Sequence, residues 1–178
     1  MESIRKLDSR DFANFKKVFM VFESEPFYEA WTEEDYIQEF IDFIEKGEIY
    51  GIFLDNEICG IITIKKKYLK WDELDINVEK SVYLSDIAVR KDSRNNGFGT
   101  KLMEYIISLF GEDYDIYMRT NLENSMSEGI AIKNGFEIIN GKVQTVSFKR
   151  TRKDIPELDK RKYLIRKSNR NNGIQSNI

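Results

Sequence analysis

The chain has no histidine and a single cysteine, Cys59, in 178 residues. Without histidine there is no Ser-His-Asp or Cys-His catalysis, no imidazole base and no histidine metal ligand. One cysteine excludes an internal disulfide framework and a multi-cysteine metal site, and it suits a reducing compartment. No metal is expected. No segment approaches the roughly 18 continuous apolar residues of a membrane span, and the opening MESIRKLDSRDF lacks a signal-peptide core. These absences predict a soluble cytoplasmic protein with no membrane partner. Its chemistry falls to carboxylates, Tyr, Ser, Lys, backbone groups or water.

What is present is enough for one folded domain: 41% hydrophobic and 13% aromatic residues in a chain long enough to bury about 70% of its extended surface. The domain is expected over 1–167, with 168–178 a flexible C-terminal tail that has little to bury. Net charge is −3 but uneven: residues 1–50 hold 13 acids and 6 bases, residues 142–178 hold 3 and 11. Nine acids and no base lie between Lys17 and Lys46, a field that attracts a cationic ligand or only solvates acidic helices. The basic end has no RNA-recognition signature or recognition helix, so no nucleic-acid partner is expected.

Helical periodicity puts Phe12, Phe15, Val18, Phe19 and Phe22 on one face, capped by Asp8 or Ser9. After Pro26, Thr32 and Asp35 form a capping-box start, Ile37, Phe40, Ile41 and Ile44 line a face, and Gly47 stops the helix. Tyr50–Leu54 and Ile58–Ile64 flank Asp55-Asn56-Glu57 as an antiparallel hairpin. Residues 65–80, with Trp71, read as loop. A strand over Val82–Val89, a helix over Phe98–Phe110, a strand over Ile116–Thr120 and a helix over Ser125–Asn134 follow. Strands near Phe136–Ile139, Val143–Phe148 and Tyr163–Ile165 complete an α+β order.

Arg94-Asn95-Asn96-Gly97-Phe98-Gly99 stands where a strand hands over to a helix. Unpaired N–H groups and the dipole make such a helix start an anion site, and Gly97 and Gly99 let the backbone approach a phosphate. Arg94 adds a bidentate contact. Two glycines before a helix also serve a plain turn, and the run is neither a Walker loop nor a dinucleotide fingerprint.

YLSDIAVRKDSRNNGFGTKLMEYI resembles the signature of the GNAT superfamily of acetyl-CoA-dependent N-acyltransferases, with a strand leading into (Arg/Gln)-x-x-Gly-x-(Gly/Ala) and a long helix. Asn124 and GIAIKNGFEII, ending in Gly135-Phe136, look like the family's second segment, and the hairpin YGIFLDNEICGIITI stands where its second and third strands lie. The resemblance, over about 1–166, implies a mixed, mostly antiparallel twisted sheet of six to seven strands flanked by about four helices. The two central parallel strands would splay around acetyl-CoA, a co-substrate. Carried over, the backbone of Ile87, Ala88 and Val89 would pair with the pantetheine arm and polarise the thioester. Amides of Asn95, Asn96, Gly97, Phe98, Gly99 and Thr100 would hold the pyrophosphate, with Arg94 at its edge. Asn124 would contact the pantetheine.

Many members carry a Tyr four residues before the Gly of Gly-Phe; this chain has Ala131. Tyr117, Tyr83, Ser125 and Ser127 are the alternatives for protonating the leaving thiolate, with water or the substrate's own proton as the remaining routes. Asp86 is the candidate base, on the strand facing the thioester; a solvent-facing or turn-bracing carboxylate is the competing role. Glu25, Glu29, Glu33 and Glu34, with Tyr28 and Trp31 between them, border the implied acceptor site and would suit an ammonium or aminosugar; the acids would otherwise offset a helix dipole, and Trp31 would pack under the next helix. The expected activity is acetyl transfer to the primary amine of a small cationic acceptor, aminoglycoside- or polyamine-like, by direct attack in a ternary complex. A peptide or protein amine, or a non-catalytic CoA-binding module, are the alternatives. Relatives are often homodimers.

Overall fold

A computed structural model describes residues 1–24, 30–67, 74, 76–147 and 158–172 of the chain. Its centre is a seven-stranded sheet in the order β1-β2-β3-β4-β5-β7-β6. The strands are β1 (Glu2–Lys6), β2 (Gly47–Leu54), β3 (Glu57–Lys66), β4 (Ser81–Val89), β5 (Asp115–Asn121), β6 (Glu137–Ser147) and β7 (Leu158–Arg166). Every adjacent pair is antiparallel except β4 with β5. The helix that crosses between those two, α3 (Phe98–Phe110), is what permits the parallel pairing. Asp55 and Asn56 make the β2–β3 turn with positive φ (49° and 68°), as a tight hairpin requires.

One face of the sheet carries α3 and α4 (Ser125–Lys133). Phe98, Leu102, Met103, Ile106 and Phe110 recur at helical spacing and bury against Ile62, Ile64, Val82, Leu84, Ile116 and Met118. The other face carries α1 (Phe12–Phe19) and α2 (Glu33–Lys46), whose Phe15, Phe19, Phe40 and Phe43 pack on Ile49, Ile61 and Ala88. The Thr32–Asp35 capping box forms as the sequence predicts: the Thr32 N–H and hydroxyl donate to Asp35 Oδ2 at 2.7 and 2.6 Å. The buried face of α2 differs in part from the expected one. Tyr36, Phe40 and Phe43 are its buried residues and Ile44 packs partly against the same cluster, so of the expected face Phe40 and Ile44 hold, while Ile41 is 41% exposed.

Two strands expected from 136 to 148 are one, β6, with a register irregularity between Ile138 and Val143. The first residues of the expected tail are anchored: Ser168 N–H donates to Asp115 Oδ1 at 2.7 Å, and α5 (Asn169–Asn172) follows. Residues 173–178, like Trp71, lie outside the described residues.

Candidate active site

The parallel ladder between β4 and β5 has three rungs, Ser81↔Asp115, Val82↔Ile116 and Tyr83↔Tyr117. Past them β4 continues to Val89 on its β3 partner, and β5 to Asn121 on its β7 partner. The facing edges of 84–89 and 118–121 therefore have no rung between them, and a cleft of about 690 Å³ opens there. The divergence has a local cause. In the β3–β4 ladder Thr63 opposes Asp86 and Ile64 opposes Leu84, leaving Ser85 as the extra residue of a bulge. A bulge bends its strand and adds twist, and β4 leaves β5 two residues before it.

The bulge is held by Thr63, which is fully buried. Its hydroxyl accepts the Asp86 N–H and donates to Asp86 Oδ2, each at 3.0 Å. Half-buried, Asp86 lines the cleft. Burial raises its carboxyl above the ordinary aspartate value; hydrogen bonds from Ser85 and Thr63, and the charges of Lys65 and Arg161, pull the other way without cancelling it.

At one mouth of the cleft stands the N-terminus of α3. Asn95 and Gly97 both have positive φ, 66° and 76°, and this winding turns successive N–H groups toward a common point. No side chain caps the helix there, and a Cβ on Gly97 would meet nothing within 4 Å. Arg94 lines the same mouth, with its Nε 3.4 Å from the Val89 carbonyl. A concave group of N–H donors beside a guanidinium, opening on a split parallel pair, is a cradle for a phosphorylated ligand with a long arm.

The family model for the acetyltransferase (GNAT) family matches residues 16–136. The chain belongs to the GNAT acetyltransferase family. GNAT members use acetyl-CoA, and the cradle and cleft fit it. The chain is an acyltransferase. Solved structures agree on the fold: an N-acetyltransferase from Staphylococcus aureus Mu50 (15% identity, 92% of this chain and 97% of that one, TM-score 0.68) and the ribosomal-protein-S18-alanine N-acetyltransferase of Escherichia coli (13%, 93% and 93%, 0.66). An acetyltransferase from Salmonella typhimurium, yncA, solved with its cofactor acetyl-CoA, is similar at 14% identity over 94% of each chain, TM-score 0.65. No curated protein matches the sequence. Among the described residues no helix is long and apolar enough to cross a membrane, and no group of acids or cysteine has metal-site geometry.

In this GNAT chain most residues expected at the cofactor site meet at the cleft: Ile87, Ala88, Val89, Arg94, Asn95, Gly97, Phe98, Gly99, Thr100 and Asn124 line it. Asn96 does not; its amide braces the loop through the Ser93 and Arg94 carbonyls, both at 3.2 Å. Gly99 lies between α3 and α4, where an added Cβ would sit 3.4 Å from Ile130 Cδ1, an ordinary contact. Asn124 also caps α4, accepting the Ser127 N–H at 3.1 Å.

The proposed acids fare differently. Tyr117, expected to protonate the thiolate, is fully buried and stacks on Tyr83 at 5.3 Å beneath the last rung, in a cluster with Tyr163 and Leu74. It does not line the cleft: in-register parallel neighbours put both rings on one face, where they pack on each other. Ser125 and Ser127 do line it. Ala131 is turned into the α3 core, and Ile130 is its neighbour that faces the cleft.

Glu25, Tyr28 and Glu29 lie outside the described residues. Trp31 packs on Phe19 and Tyr36, with centroids at 5.0 and 5.3 Å, and is not a lining residue. Glu33 pairs with Lys16 and Glu23 accepts the Tyr36 hydroxyl; neither these two nor Glu34 lines the cleft. Sequence reasoning missed Val21, Phe22, Arg119, Asn121 and Arg161, all lining residues. The alternation Tyr117-x-Arg119-x-Asn121 was a usable signal for one face of a strand; nothing local marked Arg161.

Proposed function

We propose that the protein transfers an acetyl group from acetyl-CoA to a primary amine by direct attack in a ternary complex, with Asp86 as the general base. The observation that carries this reading is the Asp86 carboxylate in the wall of the cleft, raised in pKa and braced by Thr63. An alkylammonium of pKa near 10.4 is neutral about once in a thousand molecules at pH 7.5, a deficit of about 4 kcal/mol. A carboxylate that takes the proton, directly or through one water, as the nitrogen attacks removes part of that deficit.

Acetyl-CoA supplies the activated acyl group as a thioester. The amides of Asn95, Gly97, Phe98, Gly99 and Thr100 at the start of α3, with Arg94, hold its phosphates, and Asn124 contacts the arm between the strands. Alternate residues of a strand turn their polar groups to opposite edges, so part of the Ile87–Val89 backbone is available to the arm and to the thioester oxygen. The N–C bond forms as the C–S bond breaks, Asp86 receives the amine proton, and the departing thiolate takes one from water. A CoA thiol near the ordinary value of about 8.5 leaves readily without a dedicated acid, which accommodates Ala131 and the buried Tyr117.

The expectation of a cationic acceptor draws on acids of the 18–45 segment, and none of its described acids lines the cleft. The test is thiol release from acetyl-CoA over a panel of amino acids, amino-acid amides, polyamines, aminoglycosides and peptides. Release that requires an amine, with Asp86→Asn losing roughly 10²–10⁴-fold in kcat/KM while still binding acetyl-CoA, is the expected result. Acetyl-CoA binding with no turnover on any amine would reject the reading.

A further inference from the structure

We infer that Lys162, which does not line the cleft, is a positioning residue for acetyl-CoA: it clamps the first turn of α4 to β7 and so holds Asn124 against the pantetheine arm. This deepens the proposed reading of the cleft and rests on it.

One wall of the cleft is made by a weak helix. β5 ends at Asn121, and the turn and helix that follow supply Glu123, Asn124, Ser125, Ser127 and Ile130, among others, to the lining. Isolated helices shorter than about 12–15 residues are marginal in water, and α4 has nine. Ser125, Ser127 and Gly129, all poorer helix formers than Ala, fall within its first five positions. Its one buried residue, Ala131, lies in the second half, and Met126 is 65% exposed. The Asn124 cap on the Ser127 N–H closes the first turn on itself without tying it to the sheet.

Lys162 supplies the tie. On β7, Leu164 packs in the α3 core and Tyr163 in the cluster on the opposite face. By the two-residue period of a strand, Lys162 rises on the side of α3 and α4. Its ammonium donates to the Leu122 carbonyl at 3.4 Å and to the Glu128 carboxylate. Leu122 lies two residues before Asn124 and Glu128 four after it, so the two contacts bracket it. A lysine ammonium has three donors on one nitrogen and can serve a carbonyl and a carboxylate together. The pair is largely withdrawn from water, with 15% of the Lys162 and 26% of the Glu128 side chain exposed, unlike the exposed pairs that contribute little. Leu122, Glu128 and Lys162 are all absent from the lining. The lysine therefore acts from behind the wall. Without its ammonium the Glu128 carboxylate stays part-buried and uncompensated; its route to water is outward rotation of the first turn of α4, which carries Asn124 off the arm.

The test is calorimetric titration with CoA, which reads binding without turnover or a known amine. Lys162→Met keeps the stem and removes the ammonium; the CoA Kd should rise roughly tenfold, with most of the loss recovered in Lys162→Arg. Glu128→Gln breaks the pair from the other side and should shift the Kd in the same direction. Asn124→Ser keeps a helix cap and withdraws the amide from the arm. In that background Lys162→Met should add less than about twofold, because residues acting through one contact are not additive. In turnover, KM for acetyl-CoA should rise with little change in kcat at saturating acetyl-CoA, as loss of uniform binding requires. An unchanged CoA Kd in Lys162→Met, or full additivity with Asn124→Ser, would overturn the inference while the cofactor site stands. An Asn124→Ser protein that binds CoA as wild type does would overturn the Asn124 contact and the inference with it. Wild-type protein that binds no CoA would overturn the cofactor site as well. Glu128→Gln carries the same comparisons if Lys162→Met folds poorly.

Discussion

The buried Thr63 hydroxyl accepts the Asp86 backbone N–H and donates to the Asp86 carboxylate, each at 3.0 Å. One hydroxyl supplies one donor and two acceptor lone pairs, so it can replace the strand partner that the bulge displaces and orient the carboxylate at the same time. The same contact joins the cause of the splay to its proposed base.

Thr63→Val keeps the shape and removes both bonds. We expect a stability loss of about 1–3 kcal/mol from the orphaned Asp86 groups, read by denaturant unfolding. As Thr63 positions Asp86, kcat should fall and the pH–rate profile should shift, with both restored in Thr63→Ser. A normal pH profile in a merely less stable Thr63→Val would reduce Thr63 to a packing residue.

The pH dependence follows from the raised Asp86 carboxyl. A carboxyl whose folded value exceeds its unfolded one binds its proton more tightly when folded, so stability falls as pH rises between the ordinary aspartate value, about 3.8, and the higher folded value. Above that window the ionised Asp86 is a standing cost. Asp86→Asn should therefore be more stable than wild type at pH 7–8, by thermal unfolding, and lose that advantage below about pH 4. Its activity should fall regardless. The acid limb of the wild-type kcat/KM profile should lie above the usual aspartate range.

Gly97 and Gly129 form a controlled pair, since an added Cβ would meet nothing within 4 Å at either position. Gly97 has φ of 76° and Gly129 lies inside α4. Gly97→Ala should cost about 1–2 kcal/mol through left-handed strain, and Gly129→Ala should gain about 0.5–1 kcal/mol through helix propensity. Thermal unfolding should move by about 2–4 °C per kcal/mol, in opposite directions. In Gly97→Ala, acetyl-CoA affinity should fall with the loss of the cradle; unchanged affinity would remove Gly97 from the phosphate site.

The elements written in local pattern are the ones sequence reading found. The Thr32–Asp35 box, the apolar spacing of Phe98–Phe110 and the Arg94–Gly99 run each carry their reason within a dozen residues. β1 carries none: of Glu2–Lys6 only Ile4 is even half-buried, and the strand exists because β2 offers it an edge. Trp31 and Tyr117 could not be assigned by residue type, because an aromatic ring suits a ligand and a core equally well.

By itself, then, the sequence determined the chemistry available, the anion-binding helix start and the family. The tertiary structure decided which side of the sheet each side chain serves. The side-chain period of a strand is two, so the single extra residue at Ser85 sends Asp86 to the opposite face. That displacement, with the register pairing Asn121 to Arg161 across β5 and β7, brings a carboxylate and two arginines 33 and 75 residues away in sequence to one cleft. No local pattern encodes it, since it depends on ladders closed between distant segments.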